Sequence, residues 1–156
     1  MTQIRAANGV LLATSDRPVT VGRVVTMIAI TGGININMPN VRNAQEARVA
    51  SRAHIHIGPA LQMLREIEAE APFDLVFIDA DKVSYHGYLA WAADHLREGG
   101  VVLADNAFGF GEIHRPGGDD GRAALRKFNE ELARGGRFRA TMLPTAEGLA
   151  MGVKIR

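Results

Sequence analysis

The sequence predicts an α/β fold, a mostly parallel sheet closed by an antiparallel C-terminal hairpin. Three observations carry this reading. Leu75-Val76-Phe77-Ile78 and Gly100-Val101-Val102-Leu103-Ala104 are short apolar runs of the kind a parallel strand buried on both faces needs. Between them Tyr85, Tyr88, Leu89, Ala92 and Leu96 recur at helical spacing, with Gly99-Gly100 as the C-terminal stop. A strand–helix–strand crossover makes its two strands parallel. Finally, Arg137 to Leu143 and Leu149 to Ile155 read as strands, and the link Pro144-Thr145-Ala146-Glu147-Gly148 is too short for anything but an antiparallel pair at the sheet edge.

With 156 residues the chain is read as one domain, residues 1–156, large enough for a real core. With a net charge of +1 no overall field argues for nucleic acid or an acidic membrane surface, and neither is expected as a partner. The absence of cysteine removes disulfides, thiolate metal sites and thiol nucleophiles, and fits a cytoplasmic location. The first residues lack a basic-then-apolar signal pattern, and no apolar run reaches the roughly 18–20 residues of a membrane span.

Taken in order, residues 1–20 are weakly patterned: Gly9 to Ala13 suits a short helix or strand, and Ser15-Asp16-Arg17-Pro18 a turn or helix start. Val24 to Ile30 is β-branched and reads as a strand. Thr31-Gly32-Gly33 breaks it, and the alternating Ile34 to Met38 suggests a hairpin over 24–38, with a phosphate- or carboxylate-cradling glycine turn as the competing reading. Asn43 caps a helix to Arg52. His54-Ile55-His56-Ile57 alternates as a strand; its two histidines lack a third metal ligand nearby and read as a polar strand face. Gly58-Pro59 starts a helix with Ala60 or Leu61, Leu64 and Ile67 inward. Residues 107–118 form a glycine-rich loop long enough to be a functional lid. Asp119 or Asp120 caps the next helix, whose Ala124, Leu125, Phe128 and Leu132 make an apolar stripe that ends at Gly135-Gly136.

Both central strands end in acid: Asp79-Ala80-Asp81-Lys82 and Asp105-Asn106. Parallel strands put these ends on one edge of the sheet, where open α/β sheets bind ligands. Two carboxylates and a carboxamide are hard oxygen donors suited to Mg²⁺, Mn²⁺ or Ca²⁺. Lys82 stands close enough to act as a base, because an ammonium beside a cation loses its proton more readily. The plainer account is that strand-end aspartates cap the following helices; for the set as spaced, a site is the better reading. A hydrolase using the same edge with His114 or His86 as proton carrier is the weakest reading, since neither histidine has a partner the sequence can place.

The run Phe73 to Lys82, then Tyr85 and Tyr88, then Gly99 to Asn106, resembles the metal-dependent class I O-methyltransferases that use S-adenosylmethionine (SAM), relatives of caffeoyl-CoA and catechol O-methyltransferases. The resemblance extends to Gly58-Pro59-Ala60-Leu61, the helix at Ala123 to Leu132 and Glu147-Gly148-Leu149-Ala150, covering about residues 53–156. It implies a Rossmann-like methyltransferase sheet, shortened at its N-terminal end. It further implies Asp79, Asp105 and Asn106 as divalent-metal ligands, Lys82 as general base, and Asp81 and Ala60 as SAM contacts. The acceptor would be a catechol-like small molecule whose hydroxyls chelate the metal. The family's Glu-x-Gly-x-x-x-Gly loop and ribose-binding acid are not found: Gly22 to Thr26 resembles its second strand, yet no Asp or Glu occurs from Arg17 to Gln45. A missing first strand would expose a central sheet edge and favour a homodimer. The alternative is a non-catalytic metal-binding or assembly module on the same fold.

Overall fold

The computed structural model describes residues 2–5, 11–15, 24–28, 56 and 59–156. Its contacts divide the chain into two compact units, Met1–Val21 with Thr31–Ile57, and Gly22–Ile30 with Gly58–Arg156. In the first unit, β1 (Thr2–Arg5) pairs antiparallel with β2 (Leu11–Ser15), so the weakly patterned start of the chain contains two strands. Ser15, expected to open a turn, is the last residue of β2.

The second unit is built on a five-stranded sheet: β3 (Val24–Ile28), β4 (Phe73–Asp79), β5 (Leu96–Ala104), β6 (Phe138–Leu143) and β7 (Leu149–Lys154). Their spatial order is β3-β4-β5-β7-β6. β3, β4 and β5 are parallel, and β7 and β6 close the sheet antiparallel, as the apolar runs and the short 144–148 link predict. β3 pairs in parallel along β4, from Val24 opposite Leu75 to Ile28 opposite Asp79, so the central edge expected to be left open is filled. The partner expected for it in a hairpin, within 29–38, lies outside the described residues. So do the helix expected over 43–52 and, apart from an exposed, irregular His56, the strand expected over 54–57.

Among the described residues of this unit the α-helices are α1 (Ala60–Glu66), α2 (Tyr85–His95) and α3 (Asp120–Arg134). α1 buries Leu64 and leans Ala60 and Ile67 on the core, leaving Leu61 partly exposed. α3 starts at Asp119, whose Oδ1 accepts from the Arg122 amide at 2.8 Å, and buries Leu125, Phe128 and Leu132. Burying each of those side chains is worth about 1.5–3 kcal/mol, against a few tenths for an exposed helix ion pair such as Arg134–Glu130, so the stripe decides where α3 packs.

α2 ends at His95, not at the glycines. Leu96 is already extended (φ −75°, ψ 145°) and is the first residue of β5. Between Phe73↔Leu96 and Leu75↔Val101 the register advances two residues on β4 and five on β5. Gly99-Gly100 makes this bulge: Gly99 has φ +71°, and a Cβ on Gly100 would sit 2.8 Å from the Arg97 carbonyl. The expectation of strands buried on both faces is also corrected. Val76, Ile78, Val102 and Ala104 are fully buried, whereas Leu75, Phe77, Val101 and Leu103 on the opposite face are only partly so. Among the described residues no helix is long and apolar enough to cross a membrane.

Candidate active site

The site begins with register. Ile78 on β4 pairs with Ala104 on β5, and the Asp105 amide donates to the Ile78 carbonyl at 2.9 Å. Asp79 and Asp105 therefore leave the sheet from adjacent parallel strands at the same edge. Asn106 follows with φ +60°, a left-handed backbone that Asn tolerates better than most residues. It is buried, and its Oδ1 accepts from the Phe110 amide at 3.0 Å, so its side chain turns the following loop. A carboxamide oxygen has a second lone pair, so this bond does not exhaust its capacity to accept.

Lys82 opens a short 3-10 turn, Lys82–Ser84, directly after the β4 tip. Its Nζ lies 3.9 Å from Asp79 Oδ1, donates to the Asp105 carbonyl at 3.4 Å and to the Tyr85 hydroxyl, and sits 4.5 Å from the Tyr85 ring centre. Burial lowers the Lys82 pKa below its ordinary value, and the charges of Asp79, Asp105, Glu147 and Asp81 only partly oppose it. The lowering comes from desolvation, a different cause from the neighbouring cation invoked on sequence grounds.

Asp81 caps that 3-10 turn: Oδ2 accepts from the Ser84 amide at 3.1 Å and Oδ1 from the Tyr88 hydroxyl at 2.6 Å. Burial acts to raise its pKa, but the bonds from Ser84 and Tyr88 outweigh it and hold the carboxyl below its usual 3.8. Capping therefore explains Asp81 in part. Burial, with the nearby Asp81 carboxylate, pushes the Tyr88 phenol up to about 12. Tyr85 is also driven upward, by burial first and by the Asp79 charge second.

Asp79, Lys82, Asp105 and Asn106 are brought together at one edge, and Asp81 joins them through the turn it caps. Ala60 stands on a different element, at the head of α1, whose Leu61 rests where Gly87 of α2 leaves room. Sequence reasoning missed three participants. Tyr85 and Tyr88 stand in the sequence reading as helix positions and as part of the motif behind the resemblance, with no partner for their hydroxyls, although a buried phenol needs one. Glu147 reaches the site because β7 runs antiparallel to β5, which returns the 144–148 link to the β5 tip: Ala107 donates to the Gly148 carbonyl at 2.8 Å and Phe108 to that of Glu147 at 3.0 Å. Gly148 has φ +75°, and a Cβ there would overlap the Phe108 ring.

The 107–118 loop is tied down on its other side by α3. Asn129 donates to the Ala107 carbonyl at 2.9 Å, and the Arg126 guanidinium donates to the carbonyls of Arg115 at 3.2 Å and Gly117 at 2.6 Å. His86 bonds Glu131 at 2.6 Å across α2 and α3, so it does have a partner, one on a helix surface.

The O-methyltransferase family profile matches residues 12–155, beginning well upstream of the segment that carries the resemblance. A probable caffeoyl-CoA O-methyltransferase of Dictyostelium discoideum is 32% identical over 115 residues, 70% of this chain and 50% of that protein. The catechol O-methyltransferase of Mycobacterium tuberculosis is 42% identical over 85 residues, 54% of this chain and 38% of that one. The chain thus spans about half the length, or less, of these curated relatives. Among solved structures, the O-methyltransferase TomG of Streptomyces achromogenes in complex with SAM superposes with a TM-score of 0.76 at 26% identity, covering 87% of this chain and 74% of that one. A profile match over most of the sequence, on an α/β sheet that its solved relatives share, leads to one conclusion: the chain belongs to the O-methyltransferase family.

Proposed function

We propose that the protein transfers the methyl group of SAM to a hydroxyl of a catechol-like small molecule, assisted by a divalent cation. The observation that carries the reading is the Ile78–Ala104 register, which sends Asp79 and Asp105-Asn106 out of the sheet together beside Lys82. The chemistry of Asp79, Asp105 and Asn106 supports a hard cation, although among the described residues no group of three or more His, Cys, Asp or Glu side chains is placed to hold one. Those two carboxylates and the carboxamide are hard oxygen donors, and four carboxylates, Asp79, Asp81, Asp105 and Glu147, act on Lys82, an excess of negative charge at one edge. Asp79, Asp105 and Asn106 would hold Mg²⁺, with Ca²⁺ and Mn²⁺ as alternatives. When bound, such an ion lowers the pKa of a chelated hydroxyl.

Lys82 then serves as general base. Its desolvated Nζ accepts the hydroxyl proton while the acceptor oxygen forms its bond to the methyl carbon and the carbon–sulfur bond breaks. Asp81 and Ala60 contact SAM, and the 107–118 loop faces the acceptor. The name of the M. tuberculosis relative and the SAM complex of TomG support this choice of acceptor class and methyl donor. The phosphate- or carboxylate-cradling turn read at Thr31-Gly32-Gly33 falls outside the described residues. The protein acts in the cytoplasm, with neither nucleic acid nor membrane as partner. It acts as a homodimer, for which the end strand β6, with Met142 and Leu143 partly exposed, offers an edge.

Calorimetric titration with SAM, with and without Mg²⁺, tests the reading. Saturable heat is expected. No heat at millimolar SAM would refute it and leave a non-catalytic binding module.

A further inference from the structure

Two tyrosines of α2 remain unexplained by the chemistry above. Tyr85 and Tyr88 are one helical turn apart, so they share a face. Their rings belong to the core, with 0% and 2% of their surface exposed, and Tyr85 packs edge-on against Phe128 at 5.3 Å. Both hydroxyls point back toward the end of β4, and each meets a different residue of the site. Tyr85 Oη donates to the Asp105 carbonyl at 3.0 Å and accepts from Lys82 Nζ. Tyr88 Oη donates to Asp81 Oδ1 at 2.6 Å, the length of a charge-assisted O–H···O⁻ bond.

We infer that Tyr85 and Tyr88 are separate positioning residues, Tyr85 aiming Lys82 for the proton transfer and Tyr88 aiming Asp81 for SAM; this rests on the function proposed above. The Lys82 side chain has many rotamers, and an unaimed amine is a poor base. Tyr85 Oη and the Asp105 carbonyl together take two of the tetrahedral directions on Nζ. Asp79 Oδ1 lies 3.9 Å from the same Nζ. Tyr88, with the Ser84 amide, fixes both oxygens of Asp81, so the outward lone pairs of that carboxylate keep one orientation. Because each ring is held rigidly in the core, each hydroxyl is a fixed point. A solvent-exposed Ser or Thr in the same place would not be.

The test compares wild type, Tyr85→Phe and Tyr88→Phe, all of which keep the buried ring. Three quantities are read: affinity for S-adenosylhomocysteine by calorimetry, methyl transfer from SAM to 3,4-dihydroxybenzoate with Mg²⁺, and the rate of Lys82 acetylation by dilute acetic anhydride, followed by peptide mass spectrometry. Tyr85→Phe should lower kcat roughly tenfold or more, speed Lys82 acetylation severalfold and leave S-adenosylhomocysteine affinity within about twofold. Tyr88→Phe should weaken S-adenosylhomocysteine binding roughly tenfold while Lys82 acetylation stays within about twofold. Asp81→Asn should reproduce the Tyr88→Phe loss, and the Tyr85→Phe effect on kcat should vanish in a Lys82→Met background.

Equal losses of affinity and turnover in both variants, or wild-type behaviour in both, would overturn the division of labour. So would a Tyr85→Phe effect that persists undiminished without Lys82. A wild-type chain that neither binds S-adenosylhomocysteine nor transfers methyl would instead refute the proposed function, and the acetylation rates would still decide whether Tyr85 tethers Lys82.

Discussion

Lys82→Ala is expected to lower the turnover number for methyl transfer by about 10²- to 10⁴-fold, the range for removing a positioned general base. Mg²⁺ affinity should stay nearly unchanged, because an amine is not among the hard oxygen donors proposed to hold the ion. The scaffold should survive as well: Tyr85 still donates to the Asp105 carbonyl, and the 3-10 turn keeps its cap from Asp81. The pH dependence has a definite sign. Burial lowers the Lys82 pKa, so the reactive neutral amine forms at lower pH than for a free lysine, and kcat should rise with pH through that lowered value. In Lys82→Ala the rising limb should disappear. Steady-state kinetics across pH, beside a calorimetric Mg²⁺ titration, checks both parts; loss of Mg²⁺ binding with the mutation would make the role of Lys82 structural.

Phe128→Ala should destabilise the fold by about 3–5 kcal/mol, the usual cost of removing a fully buried aromatic side chain. Phe128 is completely buried on α3 and meets Tyr85 of α2 at 5.3 Å, so the cavity would open between the two helices that hold the core together. Against a typical total stability of about 5–15 kcal/mol, such a loss is a large fraction. Its position beneath Tyr85 adds a second consequence: the phenol that bonds Lys82 loses its backing. Urea denaturation should show a lower midpoint with little change in slope. Arg134→Ala, which removes an exposed ion pair on the same helix, is the contrasting control and should shift the midpoint little. Equal effects from the two changes would mean that the α2–α3 interface does not carry the stability assigned to it.

How far the sequence could be read follows from what each signal encodes. β4, β5, the closing hairpin and the cap of α3 were legible because apolar runs, a short link and an Asp before a periodic stripe are local signals. The end of α2 was not. Leu96 suits either a helix or a buried strand, and Gly99-Gly100 can stop a helix or bend a strand; only the register with β4 selects the bulge. Single-face burial was hidden for a similar reason, since an all-apolar run does not say what covers its second face. At the site, the acidic tips and Lys82 could be read because parallel strands end together. The partners of Tyr85 and Tyr88 could not: periodicity reports where a ring is buried and nothing about where its hydroxyl points. Glu147 depends on the antiparallel return of β7, a contact between distant parts of the chain.

The central claim is that the β4 and β5 tips form one cation site that supports methyl transfer, and calorimetric titration of Mg²⁺ into wild type and Asp105→Ala tests it most directly. Saturable binding is predicted for wild type, with none in Asp105→Ala and a circular-dichroism spectrum that stays native, since the residue lies beyond the last paired position of β5. Equal Mg²⁺ binding by both proteins, or methyl transfer indifferent to both the substitution and a chelator, would contradict it.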